Sequence, residues 1–143
     1  MNLEDNNKLT GTGYLIVRVA TASGAIPLEG AQVGIREYSP ENEGGGEFVA
    51  ALVSGPDGNT EVISLPTHPK SESLVAGNAI PYSTYVAKVR LEGYSDQTFI
   101  GIPIFDGIVA IQPVNMIPLP ENGKALPDTN ENNRFFETER NGL

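Results

Sequence analysis

Apolar and polar residues alternate with a period of two along several short stretches. Leu15, Val17 and Val19 alternate with Tyr14, Ile16, Arg18 and Ala20; Ala31, Val33 and Ile35 with Gln32, Gly34 and Arg36; Tyr85, Ala87, Val89 and Leu91 with Val86, Lys88 and Arg90. Successive Cβ atoms of a strand point to opposite sides, so this period predicts strands with one buried and one solvated face. Short apolar runs at 48–53, 60–65, 98–103 and 108–115 complete seven predicted strands with 14–21, 31–36 and 84–91. Gly and Pro separate them. In Pro56-Asp57-Gly58-Asn59 the proline presets φ and the glycine supplies a positive one. Residues 23–27 and Phe105-Asp106-Gly107 read as further turns, and the acidic, Gly-rich 39–47 as a flexible loop. The connection 66–81 is long for a compact domain, which is a mark of functional or unstructured loops.

The pattern stops at both ends. Residues 1–12 are Asn-rich and polar, and 121–143 are rich in Asn, Glu and Pro, so both read as disordered segments flanking a β domain at 13–120. Phe135 and Phe136 stand out in that tail as an adjacent aromatic pair suited to docking on a partner. The 16 glycines and 11 prolines in 143 residues fit many short strands and oppose a helical fold.

Charge removes several function classes. With 18 acidic against 9 basic residues the net charge is -9, which repels phosphate backbones and anionic lipid, so no nucleic-acid partner is expected. Zero cysteines leave no disulfide framework, thiolate metal site or thiol nucleophile. No apolar run approaches the roughly 18 residues of a membrane helix, so no membrane insertion is expected. The start of the chain has neither a basic nor an apolar signal region, and the expectation is cytoplasmic synthesis.

Three stretches carry a family resemblance. They are Pro27, Gly30, Ala31 and Val33 after the first strand; Asp57-Gly58-Asn59-Thr60; and Tyr85, Ala87 and Val89 leading to Gly93-Tyr94. Over about residues 13–118 the chain resembles the carboxypeptidase regulatory-like domain, a transthyretin-like member of the pre-albumin-type β-sandwiches. That resemblance implies a seven-stranded antiparallel Greek-key sandwich of transthyretin or immunoglobulin type, used as an appended or stand-alone unit. It also implies that the motif residues serve turns and core. The stretches 65–82 and 104–115 resemble a variety from anaerobic spore-forming bacteria, which places the expected assembly on a spore or cell envelope.

Candidate chemistry is sparse. His68 is the only histidine and lies in a loop between prolines, where an exposed residue without special role is expected. A metal or catalytic role would need partner ligands. Glu37, Glu41, Glu43 and Glu47 surround three glycines without EF-hand spacing, so a solvated loop is favoured over a Ca²⁺ site. Asp57-Gly58-Asn59 is a turn before it is a calcium ligand. Ser71 or Ser73 with His68 lacks nucleophile-elbow spacing, and Gly44-Gly45-Gly46 is followed by no Lys-Ser/Thr, so neither a triad nor a P-loop is expected. Among the tyrosines, Tyr82 is the best placed for stacking on a sugar, ahead of Tyr85 and Tyr94.

These readings predict a protein that is not an enzyme and binds no cofactor or metal. The expected role is structural: a sandwich subunit that self-assembles or joins a protein partner through strand edges or its tail. The alternative is a monomeric binding module for a glycan, peptidoglycan or protein, with His68, Tyr82, Phe135 and Phe136 as contact residues.

Overall fold

The structure is a computed structural model that describes residues 9–42, 45–69 and 83–120. Among these residues the chain forms eight strands: β1 (Gly11–Thr21), β2 (Ile26–Pro27), β3 (Gln32–Glu37), β4 (Phe48–Val53), β5 (Ile63–Thr67), β6 (Ser83–Arg90), β7 (Gln97–Ile104) and β8 (Val109–Asn115). They lie in two sheets. In sheet A, β1 is central, with β2 and β5 antiparallel along one side and β8 parallel along the other. Sheet B runs β4-β3-β6-β7, all antiparallel.

The period-two residues meet where the sheets face. Leu15, Val17, Val19, Leu65, Val114 and Met116 of sheet A and its continuation pack against Val33, Ile35, Tyr85, Ala87, Val89, Phe99, Ile102 and Ile104 of sheet B. Two sheets about 10 Å apart, each presenting alternate residues inward, are the sandwich that the alternation predicts. The all-β fold is therefore borne out.

Details differ from the sequence reading for identifiable reasons. The turn predicted at 23–27 contains the two-residue strand β2, because Ile26 and Pro27 pair with Thr21 and Ala20. The strand expected from residue 60 starts at Ile63; at Thr60 the side chain takes over, its hydroxyl accepting the Val17 amide at 3.0 Å while its own amide donates to the Val17 carbonyl. β8 runs parallel to β1 over Tyr14↔Val109 to Ala20↔Asn115, so sheet A is mixed. The base of the acidic connection after β3 is tied down. Glu37 donates its amide to Glu47 at 2.9 Å, Gly46 donates to the Glu37 carbonyl, and Arg36 reaches the Gly46 carbonyl at 3.2 Å.

The resemblance-bearing motifs are turn and packing devices. The Ser54 hydroxyl donates to the Leu28 carbonyl at 2.7 Å and accepts the Ala31 amide at 2.9 Å, locking the Pro27–Ala31 corner to the end of β4. On β7, Gly101 has φ +83°, and the β6 register shifts between Tyr85, opposite Ile102, and Val86, opposite Ile100. This is a glycine bulge: one extra residue in the left-handed region, which lets Phe99 and Ile102 both face the core.

Candidate functional site

Three strands meet at one end of the sandwich. β3 ends there at Glu37, β5 at Thr67 and β6 begins at Ser83. A cavity of about 590 Å³ is lined there by Leu9, Glu37, Tyr38, His68, Ser83 and Tyr85, with Thr84. His68 is half-buried in this wall rather than exposed, since it directly follows β5, whose last residue Thr67 is fully buried and donates its hydroxyl to the Ile104 carbonyl at 2.7 Å.

Tyr85 sits deepest. It is 3% exposed and its hydroxyl donates to the Pro66 carbonyl. Burial, with the nearby Glu37 carboxylate adding to it, pushes the phenol up to about 12 from the usual 10. The group is thus a neutral donor at physiological pH. Because the folded-state value is raised, its stabilising contribution is whole below pH 10 and is lost as pH rises from 10 through 12. Urea unfolding across pH 8 to 12 should show a loss of about 2–3 kcal/mol attributable to this group. In Tyr85→Phe that loss should shrink, with about 1 kcal/mol sacrificed at neutral pH for the missing hydrogen bond. Equal alkaline slopes in both proteins would contradict the assignment.

The other predicted residues do not converge on this cavity. Tyr94 pairs with Pro118 and packs partly buried against the core, and Tyr85 is itself core, so these two do not form a sugar-stacking surface. Tyr82, Phe135, Phe136, Ser71, Ser73 and Glu43 lie outside the described residues. Among the described residues no group of three or more His, Asp or Glu is placed to hold a metal ion. Among the described residues no helix is long and apolar enough to cross a membrane. Asp57 works as a turn residue, its carboxylate accepting the Asn59 amide at 3.0 Å.

A second candidate lies on the sheet edges and was not singled out from the sequence. Four of the five edge strands each contain a proline: Pro27 in β2, Pro66 in β5, Pro103 in β7 and Pro113 in β8. Proline lacks the amide hydrogen that an added strand would use, so each blunts its edge. β4 is the exception. Its sequence Phe-Val-Ala-Ala-Leu-Val holds no proline, glycine or charge, and among the described residues it pairs only with β3. Phe48, Val49 and Val53 are 51%, 37% and 62% exposed. The ladder to β3 shifts register between Ile35 and Arg36 and leaves Val49 as a bulge, so the edge is irregular there. An apolar edge without proline or charge is still a template for strand addition. The outer face of sheet A carries a second apolar set, where Ile16 faces Ile111 and Tyr14 faces Val109 across the parallel ladder.

No protein-family model matches this chain, and no curated protein matches it significantly. Solved structures do. The catechol 1,2-dioxygenase of Acinetobacter radioresistens aligns at a TM-score of 0.52 and 12% identity, over 85% of this chain and 56% of the enzyme. A minor pilin of Streptococcus agalactiae aligns at 0.48 and 14% identity, over 78% of this chain and 47% of the pilin. The TIE protein of Bacillus anthracis aligns at 0.46 and 17% identity, over 76% of this chain and 17% of its own. The chain spans about half or less of the length of these proteins. The expectation that the chain is not an enzyme is corrected by the dioxygenases, since in them the same sandwich belongs to a catalyst. Sheets of turn and core residues leave loops and ends free for chemistry, so this fold does not exclude catalysis. What the chain shares with the dioxygenase is its fold.

Proposed function

We propose that this domain is a structural subunit that joins a second copy of itself by strand addition at β4. The observation that carries the reading is the contrast among edges: proline in β2, β5, β7 and β8, and six uninterrupted apolar residues in β4. Two β4 strands meeting antiparallel would share their free amides and carbonyls and cover Phe48, Val49 and Val53 from both copies. The resemblance of the Pro27–Gly30–Ala31–Val33 and Tyr85–Tyr94 stretches to the carboxypeptidase regulatory-like domain supports a stand-alone or appended building block. The likeness of stretches 65–82 and 104–115 to a variety from anaerobic spore-forming bacteria offers a spore or cell envelope as the setting.

Light scattering on the full chain tests this. Wild type should run as a dimer or larger, and Val49→Lys, a charge on an exposed edge position, should run as a monomer with unchanged circular dichroism. Ile111→Lys, on the outer face of sheet A, should leave the oligomer intact. A monomeric wild type, or dissociation by Ile111→Lys alone, would refute strand addition at β4.

A further inference from the structure

The outer face of sheet B holds a cavity of about 500 Å³ that crosses the strands. Its floor is the row Ala51, Gly34 and Lys88, adjacent in register across β4, β3 and β6. Val53, Gln32 and Arg90, the next row along the same strands, form one wall, and Thr98 of β7 closes the end beside Lys88. Strands stand about 4.8 Å apart, so four of them give the depression a length of about 14 Å, enough for roughly four residues of extended peptide.

Two independent features mark this groove as a place for an occupant. The first is Gly34. A glycine inside a strand costs about 0.5–1 kcal/mol relative to alanine, and nothing around Gly34 demands one. It is not among the residues with positive φ, and an added Cβ would meet only the Phe48 ring, at an ordinary 3.8 Å. A strand glycine often marks a bulge, a tight bend or close approach by a ligand or another backbone. The register shift to β4 falls beyond it, between Ile35 and Arg36, while Gly34 stays in register with Ala51 and Lys88, so close approach is the reading that fits.

The second feature is charge. The described basic residues are Arg18, Arg36, Lys88 and Arg90, and the last three all belong to sheet B. Arg36 stacks over the Phe48 ring at 5.3 Å and Arg90 pairs with Asp96 at 3.2 Å. Lys88 is exposed and makes no ion pair among the described residues. Asp96 is the one acidic residue lining the groove, whereas Glu29, Glu37, Glu41, Glu47, Asp57, Glu61, Glu92 and Asp106 lie off it. In a chain of net charge -9 the groove is a local cationic spot.

We propose that this groove docks an extended acidic peptide segment of a partner protein, its backbone passing over Gly34 and a carboxylate held by Lys88, whose charge the neighbouring Arg90–Asp96 pair does not neutralise. The proposal does not require strand addition at β4, with which it shares one wall residue, Val53; Lys88 and Gly34 belong to the neighbouring strands and are tested separately from the oligomer. Fluorescence anisotropy of labelled hexaglutamate with the full chain tests it, with hexalysine and a single-stranded oligonucleotide as comparison probes. Hexaglutamate should bind, more weakly as salt rises, and hexalysine should not. Lys88→Glu and Gly34→Leu should each weaken binding at least about tenfold, while Arg18→Gln on sheet A should leave it unchanged. Lys88→Gln, at an exposed position, gives the same reading should Gly34→Leu fold poorly. Absence of hexaglutamate binding at about 1 mM, binding indifferent to Lys88, or a folded Gly34→Leu that binds normally would overturn the proposal. So would tighter binding of the oligonucleotide, which would assign the groove to nucleic acid.

Discussion

Gly58→Val is expected to cost about 4 kcal/mol of folding stability, combining a side chain forced into the left-handed region with overpacking against backbone. Gly58 has φ +84°, and a Cβ there would collide with the Val19 carbonyl oxygen and press on Pro27 at 3.1 Å. The turn has no room to retreat, because the Val19 amide donates to the Gly58 carbonyl at 2.7 Å and Leu28 donates to the Val19 carbonyl at 3.0 Å. One glycine therefore sits where the 56–59 turn, the middle sheet-A strand and the Pro27 corner touch. A domain of this size has about 5–15 kcal/mol in total, so the variant should be largely unfolded or melt far below wild type. Urea denaturation read by circular dichroism decides it; a loss under about 1 kcal/mol would mean the turn is not docked as described.

Leu15→Ala should cost about 2–5 kcal/mol, the range for emptying a fully buried leucine site whose walls relax only in part. Leu15 is completely buried in β1 and belongs to the core between the sheets. The neighbouring Ile16→Ala removes a similar volume from the opposite face, against Ile111, and should cost about 1 kcal/mol or less. The difference between consecutive residues is a direct measurement of the strand's inside and outside. Equal losses from the two variants would contradict the assigned facing.

That facing was legible in the sequence, because alternation reports burial one residue at a time and Leu15, Val17, Val19, Val33 and Ile35 all face inward as it predicts. The 56–59 turn was legible too, since Gly and Pro act through their own backbones. What alternation does not carry is which strand neighbours which. The parallel pairing of β1 with β8 depends on contacts about 95 residues apart in sequence, and no local pattern distinguishes it from an antiparallel return. The candidate sites were hidden for the same reason. Pro27, Pro66, Pro103 and Pro113 look like ordinary strand-end punctuation until the topology makes each of their strands an edge. Gly34 looks like one more glycine among 16 until its neighbours in register are seen to be Ala51 and Lys88. His68 was found from the sequence as the only histidine, but its half-buried place beside Tyr85 follows from where β5 stops.

The parallel pairing of first and last strands has a mechanical side. Tension applied between Gly11 and Asn115 pulls the start of β1 and the end of β8 in opposite directions along their common axis. Their ladder then has to slide rather than unzip, with the bonds between 14–20 and 109–115 sharing the strain together instead of parting one after another. Every other strand lies between these two in the chain and is shielded from the pull until they separate. A link strung into a fibre by its two ends would thus resist stretching through the one pair of strands that the linear sequence holds furthest apart.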